Sequence, residues 1–322
     1  MLGPVNAFDP RNAVKPHERT FANQISEGLR LGKYMLIDKP SVNPITFANA
    51  SQSCAIASAS QGQVDTIICP GAFGHQAIEM FQTTAQTKNP AVIAGKGYEI
   101  GLDLVNNESV EYVPGGNDVN NPFGYQAYNT STGAPGSAAV LLRVTLEIAD
   151  VSGSDQLVVG WRKQESYAVP TSFLAAGDAL YTDFIGIGFS GSADPNNIKV
   201  ISDVNNSGST TVFDTTLAFA DTKIHRLEVW LRKRKAFFFI NGVALGQTVR
   251  KDGTGAAFTP AATLAPPAYT VGSGLFMVPM IFSRYDVTTP GTIIMRRLEV
   301  AQLLEVGLDD DAKGPQSLGA LS

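Results

Sequence analysis

The side chains able to do acid–base, nucleophilic or metal chemistry are few and scattered. Histidine occurs only as His17, His75 and His225, and cysteine only as Cys54 and Cys69. A serine hydrolase needs a histidine held between nucleophile and carboxylate. His17 falls in a proline-rich stretch, and GAFGHQ around His75 has no nucleophile elbow beside it. His225 opens an alternating run on the inward register, where a hydrogen-bonded core histidine is expected. Zinc needs converging cysteine and histidine ligands, which this set does not supply. The two cysteines need not pair, and two inert thiols are the simpler expectation.

Carboxylates come close together as Glu99-Ile-Gly-Leu-Asp103 and Glu108-Ser-Val-Glu111. Neither follows the E-x-D-x-x-E pattern by which alternate strand residues of a retaining glycosidase hold two carboxyls about 5 Å apart. Glu228 stands alone on its run. Asp183, Asp194, Asn196, Asn197, Asp203, Asn205 and Asn206 gather oxygen atoms in neighbouring loops. A calcium site wants about six or more such ligands, but turns are rich in these residues for conformational reasons alone, so no ligands are assigned. GKGYEIG and GSGLFM are weak glycine pairs with no phosphate-loop context. The expectation is a protein that is not an enzyme and carries no cofactor.

Residues 221–250 hold the one strong cluster of charge, the basic knot Arg232, Lys233, Arg234 and Lys235. It is flanked by apolar runs. In 225–231, His225, Leu227, Val229 and Leu231 share one face, and Arg226, Glu228 and Trp230 share the other, the period of a half-buried strand. Phe237–Ile240 form the next run, and Asn241-Gly242 follows, the pair that best tolerates the positive φ angles of a type I′ hairpin turn. The knot therefore reads as a solvated turn between strands. A nucleic-acid surface would need exposed aromatics among a wider basic field, and no nucleic-acid partner is expected.

The elements that must position these residues are short. The chain has 322 residues, a formal net charge of −5, 16% charged and 44% hydrophobic residues. That length supports one large core or two small ones. No apolar run approaches the ~18 residues of a membrane helix, and the N-terminal residues lack the pattern of a secretory signal, so no membrane partner is expected. Residues 1–62 are rich in Asn, Pro, Ser and Ala and read as an extended arm. Within it, Phe21, Ile25 and Leu29 repeat at helical spacing, over a possible helix at 19–31. Phe8, Phe21, Ile25, Leu29 and Tyr34 are spaced as anchors for a partner's pockets. From residue 63 to 307, β-rich runs alternate with Gly, Asn, Asp and Pro clusters, the pattern of an all-β sandwich or barrel. Residues 308–322, with acidic Asp309–Asp311, read as a polar tail.

The stretch IHRLEVWLRKRKAFFFINGVALG resembles the paired strands near the C-terminal half of concanavalin A-like, laminin-G-like sandwiches. AAVLLRVTLEIADVSGSDQLVVGWRKQESY (138–167), FIGIGFSG and GTIIMRRLEVAQ complete the strand order of that family. The resemblance covers roughly residues 95–305. The wording DVSGSD…VGWRK is similar to structural proteins of tailed bacteriophages. It implies a jelly-roll sandwich and a virion structural protein made in the host cytoplasm. The type expected is a capsid decoration (cement) protein, contacting the major capsid protein or another virion protein and forming a homo-oligomer such as a trimer. The alternative on the same fold is a carbohydrate-binding tail or host-recognition protein, with Trp161, Trp230, Tyr125 and Tyr128 as candidates for stacking on sugars.

Overall fold

The computed structural model describes residues 31–38, 64–71, 74–82, 91–93, 96–100, 108–134, 136–137, 139–151, 156–167, 181–190, 197–204, 211–232, 234–245, 249–250, 257–258, 269–284 and 292–303. Among them there is no helix. The strands begin with β1 (Leu31–Asp38), β2 (Val64–Gly71), β3 (Gly74–Gln82), β4 (Ala91–Ile93), β5 (Gly97–Glu99), β6 (Ser109–Pro114) and β7 (Tyr125–Gln126). They continue with β8 (Ala139–Ile148), β9 (Gln156–Lys163), β10 (Phe184–Ser190), β11 (Asn197–Asp203), β12 (Thr211–Ala218) and β13 (Ile224–Arg232). The last are β14 (Lys235–Ile240), β15 (Val243–Ala244), β16 (Val249–Arg250), β17 (Ala257–Phe258), β18 (Phe276–Arg284) and β19 (Ile293–Leu303).

All pairings among the described residues are antiparallel, and the chain forms the all-β, two-sheet sandwich expected from the sequence. The first sheet runs β15-β14-β13-β8-β19-β5-β4, with β1 also on β19. The second runs β12-β11-β10-β9-β18-β6-β3-β2, with β7 on β18. Residues 31–38, inside the stretch read as an arm, are thus a strand of the first sheet, with Tyr34 opposite Ala301. The other anchor candidates, Phe8, Phe21, Ile25 and Leu29, the helix read at 19–31 and the tail 308–322 lie outside the described residues.

The core follows from strand alternation. Val140, Leu142, Val144, Leu146 and Ile148 of β8 point inward beside Leu227, Val229 and Leu231 of β13 and Leu298 and Val300 of β19. They meet Leu157, Val159 and Trp161 of β9 and Ile185, Ile187 and Phe189 of β10 from the second sheet. Trp161 Nε1 donates a hydrogen bond across the core to the Val229 carbonyl at 3.2 Å. The indole is fully buried, so its one donor needs this partner.

Asn241 (φ 52°) and Gly242 (φ 84°) form the tight turn expected of them. The basic knot is a turn, with Arg232 opposite Lys235, but it is not wholly solvated. Arg234 has φ 65°. Its N–H donates to Tyr125 Oη and its Nε to the Val271 carbonyl, each at 2.7 Å. This basic side chain is therefore spent on pinning residues 269–271 to the hairpin rather than left in water. Lys235 is exposed.

Val229 is fully buried at mid-strand. Val229→Asp should lower stability by at least ~3 kcal/mol, because an unpaired carboxylate would enter the core. Chemical denaturation checks this; a variant that unfolds at the parent's midpoint would refute the register.

Candidate functional site

The outer face of the first sheet is built on a repeated tetrapeptide. Arg226-Leu-Glu-Val229 on β13 and Arg297-Leu-Glu-Val300 on β19 flank β8 in the same register. Leu and Val of each copy go to the core, so Arg and Glu of each copy go outward. Glu228 and Glu299 both lie opposite Arg143, and Arg226 and Arg297 both lie opposite Thr145. Arg143 Nη2 donates to Glu228 Oε2 at 3.0 Å and Nη1 to Glu299 Oε2 at 2.5 Å. The other oxygen of Glu228 faces Arg226 Nε at 2.9 Å, and that of Glu299 is paired with Arg297 Nε. The result is a transverse ladder, Arg226–Glu228–Arg143–Glu299–Arg297.

Glu228 is fully buried and Glu299 nearly so. Burial works against the Arg143 charge, but the carboxylates of Glu299 and Glu228 outweigh it and raise its pKa. Next to the ladder on one side is an apolar group, Leu141, Trp230, Phe239 and Ala301. On the other side Glu147 pairs with Arg296. Over the ladder's Thr145 side opens a cleft of about 450 Å³ lined by Arg143, Thr145, Ile224, Arg226, Asn241, Arg297 and Glu299. That volume falls within the ~300–1,000 Å³ of small-ligand sites.

A second polar cluster closes the outer face of the second sheet. Arg162, fully buried, lies over the rings of Tyr181 and Tyr167, at 4.3 and 5.0 Å from their centroids. Its Nε donates to Glu111 Oε1 at 2.5 Å and its Nη1 to Asn117 Oδ1 at 3.0 Å. Tyr181 Oη donates to Glu111 Oε2 at 2.5 Å. Tyr167 also stacks on Phe81 at 4.7 Å. Burial, with Glu111 and Glu79 adding to it, drives the Tyr167 pKa up, so the phenol stays neutral. Each charge here has its partner inside the protein, which makes the cluster a clamp between β6, β9 and the segments at 167 and 181.

The chemistry-bearing residues singled out in the sequence are not brought together. Glu111 is bound to Arg162 rather than paired with Glu108, and Asp103 lies outside the described residues. His17 lies outside them too, as does the side chain of His75. Asp183 and Asp203 are buried, and the Asn197 amide bonds to Asp214 Oδ2 at 3.1 Å. Among the described residues no group of histidine, cysteine and acidic side chains could hold a metal ion. Of the candidates for sugar stacking, Trp161, Trp230 and Tyr125 are buried, and Tyr128 is 47% exposed. The ladder was not foreseen, although the repeated Arg-Leu-Glu-Val was a visible signal for it.

No protein-family model matches the sequence, and no curated protein matches it. Similarity is found to solved structures. The CBM2 module of the evolved Dit of Lactobacillus casei BL23 phage J-1 is 9% identical, over 69% of this chain and 82% of that one, with a TM-score of 0.34. The carbohydrate-binding module CBM66 from Bacillus subtilis is 9% identical, over 76% and 98%, with a TM-score of 0.33. The exoplasmic/lumenal domain of VIP36, in its Ca2+/Man3GlcNAc-bound form, is 8% identical, over 75% and 89%, with a TM-score of 0.38. At these values the likeness carries no argument about what this chain binds.

Arg143→Met should destabilise the protein by ~3 kcal/mol, because Glu228 and Glu299 each lose a partner while buried. Replacing Arg143, Glu228 and Glu299 together by Met and Leu should recover much of that loss. Denaturant titrations of both variants check this, and equal stability of Arg143→Met and parent would contradict it.

His225 packs on the Phe219 ring at 4.2 Å, and burial lowers its pKa below the ordinary value. The unfolded chain then takes up this proton first, so the contribution of His225 is full above ~6.5 and is lost as pH falls through the lower folded value. Melting between pH 7.5 and 5 should fall less steeply for His225→Phe than for the parent; parallel curves would contradict it.

Proposed function

We propose that the chain is a virion structural protein, a capsid decoration protein that stabilises a phage head through subunit–subunit contacts. It works by presenting a rigid sandwich, not by catalysis, and it takes no cofactor. The similarity of DVSGSD…VGWRK to tailed-phage structural proteins supports this reading. In the fold that wording joins β8 and β9, the strands at the heart of the two sheets.

The observation that carries the reading is the β12 border. Among the described residues β12 is the last strand of the second sheet in its row, and it bears Val212 at 40% and Leu217 at 38% exposure. A border strand offers backbone groups to another chain, and folded proteins blunt such borders with charge or bulges. Here the blunting is local: Asp214 binds Asn197 and the Thr216 N–H, and Thr216 sits at φ 57°. The apolar side chains on either side of it remain outside. They fit a specific neighbour, a second copy of the chain or the major capsid protein.

Carbohydrate recognition is a second reading, favoured by the open, donor-rich cleft on the first sheet. The two readings use different sheets.

Val212→Lys with Leu217→Glu should leave the melting temperature within about 2 °C of the parent, since exposed sites contribute little to stability. The same variant should fail to co-sediment with particles or with its own oligomer. Normal incorporation of the doubly charged variant would remove the reading.

A further inference from the structure

The charge pattern beside the cleft is incomplete at one position. One rung across the sheet reads Glu228–Arg143–Glu299, and the next reads Arg226–Thr145–Arg297, with Asp38 of β1 beyond Arg297. Alternation of sign would place an acid at 145, between two arginines. Thr145 is neutral. Adjacent strands lie about 4.8 Å apart, so Arg226 and Arg297 stand on either side of the space above Thr145, and that space is the cleft.

We propose that the cleft above Thr145 binds the carboxylate of an acidic sugar, a uronate residue of a polysaccharide. The carboxylate takes the vacant place in the alternation.

Donor counting supports an acceptor ligand. Arginine carries several N–H donors and no acceptor, whereas a carboxylate only accepts. Both oxygens of Glu228 and both of Glu299 already face guanidinium nitrogens. Arg143 Nε is buried without a hydrogen-bond partner, and Arg143 lines the cleft. The side chain of Arg226 is 35% exposed. Planar guanidinium groups suit carboxylates because they bind them in a fork.

The rest of the lining favours a sugar over a bare anion. Asn241 and Thr145 offer an amide and a hydroxyl for ring hydroxyls. Asn241 Oδ1 is held by the Arg226 N–H at 2.8 Å, which leaves its amide N–H groups as donors. Ile224, 52% exposed, supplies an aliphatic rim for the C–H face of a pyranose. This inference rests on the carbohydrate reading and not on the assembly reading.

Titration calorimetry of the full chain with digalacturonate tests it, alongside the matched neutral disaccharide and a peptide of the chain's own acidic residues 308–313. Digalacturonate should bind at least tenfold more tightly than either, and more weakly as salt is added. Ile224→Glu, on the exposed rim, and Arg226→Gln should each lower that affinity at least tenfold, and Ile224→Glu should keep the parent's melting temperature. Unchanged affinity in a folded Ile224→Glu protein would overturn the site, as would stronger binding of the peptide. Equal binding of the neutral disaccharide would overturn the uronate and leave the carbohydrate reading standing. Binding of neither saccharide would remove both.

Discussion

The first sheet depends on Arg143 lying between Glu228 and Glu299. Glu228 is fully buried on a sheet face, where an isolated carboxylate would cost several kcal/mol or ionise only with difficulty. It is tolerable because β8 places a guanidinium between two acids in register, and because Arg226 and Arg297 close the far oxygens. That arrangement demands that β13 and β19 both flank β8 with the same phase. The same phase sends Leu227, Val229, Leu298 and Val300 into the core. A slip of one residue in either strand would invert both faces at once. The ladder and the core are thus two consequences of one register.

The two sheets solve the outer-face problem differently. On the first, charge is shared along a ladder that ends at an open cleft. On the second, Arg162 is enclosed by Tyr167, Tyr181 and Glu111, and beside it Val158, Phe184, Ile201, Met280 and Phe282 are buried with Tyr181 as a second apolar group. A ligand at the second site would have to displace internal partners; one at the first would add to what is there. The exposed apolar side chains of β12 lie on yet another part of the surface, so contact with a neighbour and contact with a small ligand do not compete for the same residues.

Much of the fold was legible because it rests on local pattern. Alternation fixed the inward set of β13, and Asn241-Gly242 fixed the turn after β14. The all-β reading rested on many such runs. What stayed hidden depends on distant partners. The Arg162 clamp draws on residues at 79–117, 162–167 and 181, with no spacing that marks them in sequence. Trp230 alternates outward, which reads as exposed, yet it is only 4% exposed because Leu141, Phe239 and Ala301 on neighbouring strands pack around it. Arg234 looks like one of four solvated charges until Tyr125 and Val271 arrive from elsewhere in the chain. The continuous apolar run Tyr34–Ile37 was outweighed by the prolines around it, and it lies in a strand on β19. The repeated Arg-Leu-Glu-Val was visible but has meaning only once both copies are seen to flank one strand.

The central claim is that this sandwich is a structural block of a phage particle, and electron cryo-microscopy of purified particles tests it most directly. The account predicts density for the sandwich repeated with the symmetry of the head shell, its β12 border against a neighbouring subunit. Particles whose head shell lacks this density, with the protein absent or confined to a few copies at the tail tip, would contradict it.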